Sequence, residues 1–77
     1  MRDKVMNALK GRNWTMLSHY HNKYPSNWMR EINHCLEDDN NLWEFRYDSN
    51  KVLKQIKIIT NYGDFKSEWD YYIIFED

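Results

Sequence analysis

One cysteine, one proline and two glycines stand among the 77 residues of this chain. Cys35 alone allows no disulfide within the chain, so a reducing compartment is expected and the cytoplasm is its natural place, the host cell's if the chain is phage-encoded. No apolar stretch approaches the ~20 residues that cross a bilayer, so no membrane partner is expected. The opening segment, MRDKVMNALK, alternates charged and apolar residues, which is not the pattern of a secretory signal. Gly11 and Gly63 stand too far apart to form a phosphate-cradling loop. His19, His21, His34 and Cys35 lack the spacing of a zinc site, and His19 and His21 would lie about 200° apart around a helix. His34 adjoins Cys35 in sequence but points elsewhere on a helix, so no nucleophile–base pair forms. These absences exclude a metal, a cofactor and an enzyme from the expected reading.

What is present is aromatic and charged. Four Trp, six Tyr and three Phe let a short chain bury more area per residue, and core is their first reading. A chain of this length makes one domain, residues 1–77. Its net charge of −1 hides an asymmetry. Residues 1–34 hold six basic and two acidic side chains, a balance of +4, and residues 35–77 hold five basic and ten acidic, a balance of −5. Such a molecule would meet a polyanion with its N-terminal half first.

Spacing predicts the elements. Val5, Met6 and Leu9 lie on one helical face, with Gly11 beyond as a C-cap, giving a helix over residues 3–10. Thr15 opens a second helix in this reading, with Leu17, Tyr20 and His21 or Tyr24 along one face, ended by Pro25. Ser26 caps a third helix whose Met29, Ile32 and Leu36 form a buried stripe. Asn27, Arg30, Glu31 and His34 lie opposite that stripe, and Trp28 and Cys35 flank it. The run Asp38-Asp39-Asn40-Asn41 ends it.

From Leu42 the period becomes two, with Trp43, Phe45 and Tyr47 alternating against Glu44 and Arg46. Asp48-Ser49-Asn50 reads as a turn. Residues 54–60 read as a strand, though Val52, Leu53, Ile56 and Ile59 also fit a helix. Residues 69–75 form the last strand, and Gly63 lies near the tip of a hairpin joining the two. The expected fold is α+β: three helices followed by a three-stranded antiparallel sheet.

Helix, helix, turn, helix and a β-ribbon, in that order, resembles the winged helix-turn-helix superfamily over nearly the whole chain. Small phage and prophage regulators are similar. The resemblance implies duplex DNA as partner, with the third helix in the major groove. On it, Asn27, Arg30, Asn33 and His34 would face bases, Lys10, Arg12 and Lys23 would grip phosphates, and Lys66 would serve as the wing. Glu31 and Asp38 share that helix face and repel phosphate. The alternative is a protein-binding module, which this charge pattern would suit, that inhibits or recruits a host protein through its aromatic and acidic strand face. A homodimer is expected if the strand at residues 69–75 lies at a sheet edge, where it can pair with its own copy.

Overall fold

The structure, a computed structural model, describes residues 1–18, 29–60 and 70–77. Among these residues the chain runs α1 (Arg2–Leu9), β1 (Trp14–Ser18), α2 (Met29–Glu37), β2 (Leu42–Tyr47), β3 (Leu53–Ile59) and β4 (Tyr71–Phe75). The strands form one antiparallel sheet in the order β1-β4-β3-β2.

This corrects the expected fold. The fold is α+β, but two helices and a four-stranded sheet replace three helices followed by three strands. The difference lies at Trp14–Ser18, where a strand stands in place of the start of the expected second helix. Trp14 and Met16 are buried and Thr15 and Leu17 only half-buried, which is the alternation of a strand. The element that makes them a strand is β4, whose Phe75 and Ile73 pair with Trp14 and Met16. A partner from the other end of the chain leaves no trace in a local window. Tyr20, His21, Tyr24, Pro25 and Ser26 lie outside the described residues, as does Gly63.

The remaining elements follow their periods closely. α1 ends where Gly11 takes a left-handed φ of 74°, which suits a residue without Cβ. The C-terminal end of α2 is closed by side chains. Asn41 Nδ2 donates to the Cys35 carbonyl at 3.0 Å, satisfying a group the helix cannot pair internally. The Asn40 N–H donates to Asp38 Oδ1 at 2.9 Å. β3 and β4 form the expected antiparallel pair, with Ile56 opposite Ile73 and Ile58 opposite Tyr71. β4 is an interior strand bonded on both sides, however, so it cannot pair with its own copy.

Register sorts the side chains between the two faces of the sheet. Met16, Ile73, Ile56 and Phe45 form one row across all four strands, with Trp14 and Phe75 beside it on one flank and Tyr71, Ile58 and Trp43 on the other. This face meets Val5 and Leu9 of α1 and Ile32 and Cys35 of α2 in one apolar core. Met29 and Leu36 of the expected stripe are half-buried at the margin of that core, and Ile32 has no exposure at all.

Between Arg46 and Tyr47 the β2–β3 register slips, so that Tyr47 pairs with Leu53 and Lys54 is left over. A one-residue slip moves the following side chains to the other face. Leu53 accordingly packs against the core instead of standing with Gln55 and Lys57.

Two outcomes test this packing. Ile32→Ala should lower unfolding free energy by about 2–5 kcal/mol in a denaturant titration, because it opens a void in a dry core. The β2–β3 turn gives a pH test. Asp48 Oδ1 accepts from the N–H groups of Val52 at 3.0 Å and Asn50 at 2.8 Å, while Lys51 holds a left-handed φ of 65°. The Val52 bond foremost, then the Asn50 bond and the charge of Lys54, hold the Asp48 carboxyl below its ordinary pKa, against an opposing effect of burial. A depressed folded pKa contributes stability above the unfolded value and loses it as pH falls through the folded one. Wild type should therefore lose more stability on acidification through the carboxylate range than Asp48→Asn, measured by thermal melts at stepped pH.

Candidate binding surface

Both described helices pack on the same side of the sheet, so the other side carries the remaining side chains of every strand. Two rows define it. Thr15, Ile74, Gln55 and Arg46 form one, and Leu17, Tyr72, Lys57 and Glu44 form the next. Ile59 and Leu42 pair below them. None of these side chains belongs to the core cluster.

The face has two halves. Over β1 and β4 it is apolar, with Leu17, Ile74 and the ring of Tyr72 beside Thr15. Over β3 and β2 it is a polar ladder. Arg46 Nε donates to Glu44 Oε1 at 2.7 Å, and Arg46 Nη1 donates to Gln55 Oε1 at 3.1 Å. Lys57 Nζ lies 5.6 Å from the Tyr72 ring centroid and 3.9 Å from Asp70 Oδ2. Asp70 Oδ1 also accepts from the buried N–H of Thr60 at 3.2 Å, which anchors the carboxylate beneath Lys57. The Arg46–Glu44 pair, with nearly half of each side chain exposed, contributes at most about 1 kcal/mol and stays solvated, whereas Asp70 is buried beneath Lys57.

The expected aromatic strand face turns out to be mostly core. Trp14, Trp43, Phe45, Tyr71 and Phe75 face the helices, and Tyr72 is the aromatic residue in the rows of the open face. The open face mixes aliphatic and polar side chains with one tyrosine, and Glu44 is the acidic residue in its rows.

Of the residues expected to read DNA, Arg30, Asn33 and His34 stand within about one turn of each other on α2. Arg30 and His34 are exposed on α2, and Lys10 is exposed at the end of α1. Asn33 Oδ1 accepts from Arg2 Nη1 at 2.7 Å, so a bidentate contact to adenine would require it to release that bond. Asn27, Lys23 and Lys66 lie outside the described residues.

Arg12 is committed within the molecule. Its Nη2 lies 2.8 Å from Asp77 Oδ1, its Nη1 donates to the Leu53 carbonyl at 2.7 Å, and its guanidinium stacks 4.1 Å from the centroid of Phe75. Its hydrogen bond is the main cause that holds the Asp77 carboxyl below its ordinary pKa. Arg12 thus ties the loop before β1 to the start of β3 and the chain end.

Cys35 is buried among apolar side chains, and its thiol is pushed up to about 12, by desolvation first and then by the charges of Glu31 and Asp38. It is protonated at neutral pH and a poor nucleophile. Among the described residues no three His, Cys, Asp or Glu side chains gather as metal ligands, and no helix is long and apolar enough to cross a membrane. No family model, no curated protein and no solved structure matches the chain.

The open face was hidden in the sequence by the helical reading of residues 15–24, which removed Thr15 and Leu17 from the sheet. The signal was the four-residue alternation Trp14, Thr15, Met16, Leu17.

Arg12→Ala should destabilise the fold by about 1–3 kcal/mol, because it strips a cation from the Phe75 ring and a partner from a half-buried carbonyl. A thermal or urea melt measures this. A residue that only met phosphate would leave the melt unchanged.

Proposed function

We propose that this chain is a protein-binding module that docks a partner on the open face of its sheet. The observation that supports the reading is the composition of that face. Leu17, Ile74 and Tyr72 form an apolar half outside the core over β1 and β4, and Arg46, Glu44, Gln55 and Lys57 flank it on the β3–β2 side with hydrogen-bonding groups. Protein interfaces combine apolar surface with hydrogen-bonding groups, and tyrosine is among the residues that most often anchor one. The partner is a protein of the cell in which the chain is made, the host where the chain is phage-encoded. The reading places the encounter in the cytoplasm, in keeping with a free, buried thiol.

Duplex DNA ranks second. The helix-turn-helix reading needs a helix immediately before the reading helix, and its expected first residues are those of β1. Of its phosphate contacts, Arg12 is already held by Asp77 and Leu53.

The test compares three variants that spare the core. Leu17→Asp and Tyr72→Ala alter the open face, and Arg30→Ala alters the exposed side of α2. A protein retained from host lysate by the wild type should be identified and titrated back against each variant. The two open-face changes should weaken it by about tenfold or more, as expected for a hot-spot residue, and Arg30→Ala should leave it unchanged. Gel shifts showing salt-sensitive duplex binding that Arg30→Ala abolishes and Leu17→Asp preserves would overturn the reading in favour of DNA.

A further inference from the structure

We infer that β2 is a dimerisation edge, through which two copies of this chain join antiparallel into one continuous eight-stranded sheet. The inference does not depend on the open face binding a protein.

β2 lies at the edge of the sheet and is its most exposed strand. Leu42 is 64% exposed and Tyr47 57%, and both stand among the few large apolar side chains that the described surface leaves in water. The irregularity that shifts Tyr47 onto Leu53 places its extra residue, Lys54, in β3. β2 itself runs unbroken from Leu42 to Tyr47, so its outer backbone groups form a regular row. Natural edge strands are commonly blunted by proline, by a bulge or by charge. β2 has neither of the first two, and its charges select a partner instead of repelling one.

That partner is the strand's own copy. A two-fold antiparallel pairing that keeps each face of the sheet continuous must be centred on a residue of the strand. Centred on Glu44, it sets two carboxylates against each other. Centred on Arg46, it opposes two guanidinium groups and also puts Glu44 against Asp48. Centred on Phe45, it places Glu44 opposite Arg46 of the second copy and Arg46 opposite Glu44 of the second copy. The same register sets Trp43 against Tyr47 of the copy, an aromatic cross-strand pair on the helix side. Opposite charges and aromatic pairs directly across strands are the stabilising combinations in antiparallel sheets. Of these three registers, then, only the one centred on Phe45 satisfies the charges. Within one copy Arg46 and Glu44 already lie 2.7 Å apart, and each keeps nearly half of its side chain exposed, with capacity for a second partner. The other edge, Trp14–Ser18, has no charged side chain and so nothing to fix a register.

The experiment is analytical ultracentrifugation of the purified chain from micromolar to millimolar concentration, with circular dichroism melts to confirm folding. Wild type should show a monomer–dimer equilibrium that added salt weakens. Glu44→Arg alone and Arg46→Glu alone each place like charges across the axis, and each should weaken the dimer by about tenfold or more. An equimolar mixture of these two variants restores both opposite-charge pairs and should dimerise again. Should either single variant fail to fold, the chain carrying both exchanges keeps both charges on the strand and should dimerise like wild type. A wild type that stays monomeric up to about 1 mM, single variants that dimerise as well as wild type, or a double exchange that remains monomeric would each overturn the proposal.

Discussion

The pairing of β1 with β4 is the constraint from which the rest of the architecture follows. It joins the two ends of the chain, Trp14 to Phe75 and Met16 to Ile73, and so makes β4 an interior strand. With β1 in place the core-facing row runs unbroken from buried Met16 to half-buried Phe45, wide enough for both helices to seat their apolar sides. The same pairing brings Arg12, just before β1, against Phe75 and Asp77 just beyond it. Without β1, Arg12 would be a loop cation and β4 an open edge, which is how the linear sequence reads.

Much of the fold was legible because its elements carry their own period. α1, α2, β2 and the β3–β4 hairpin are marked by spacings within ten residues, and the closures at Gly11, Asp38–Asn41 and Asp48–Asn50 are marked by local turn chemistry. β1 was not legible, because five residues fit a turn of helix as well as a strand, and a partner at the far end of the chain decides between them. The binding surface was less legible for a related reason. β4 is apolar on both sides, with Tyr71, Ile73 and Phe75 on one and Tyr72 and Ile74 on the other. Alternation tells that these sets part company. It does not tell which set the helices cover.

That choice follows from size. Helices of eight and nine residues are each about 12–14 Å long, and four strands at roughly 4.8 Å spacing give a sheet that such a pair covers on one side only. Among the described residues no helix covers the other side, where Thr15, Gln55, Lys57, Glu44 and Arg46 mix among Leu17, Ile74 and Tyr72. A face built solely to stay wet would not need three large apolar side chains gathered over β1 and β4. Their clustering on one half is what turns a solvent-tolerant surface into a candidate for recognition.

On the proposed reading the two halves of this face would divide the work between surface and edge. The apolar half lies over β1 and β4, away from β2, so a partner seated there leaves the β2 edge accessible. Arg46 joins the polar ladder to the edge, because it is held by Gln55 from β3 while it pairs with Glu44 on the strand that faces outward. Joining two copies through β2 would place the two ladders side by side at the centre of the combined sheet and the two apolar halves at its outer flanks. Charge would then hold the copies in register, and aliphatic surface would remain for what they bind.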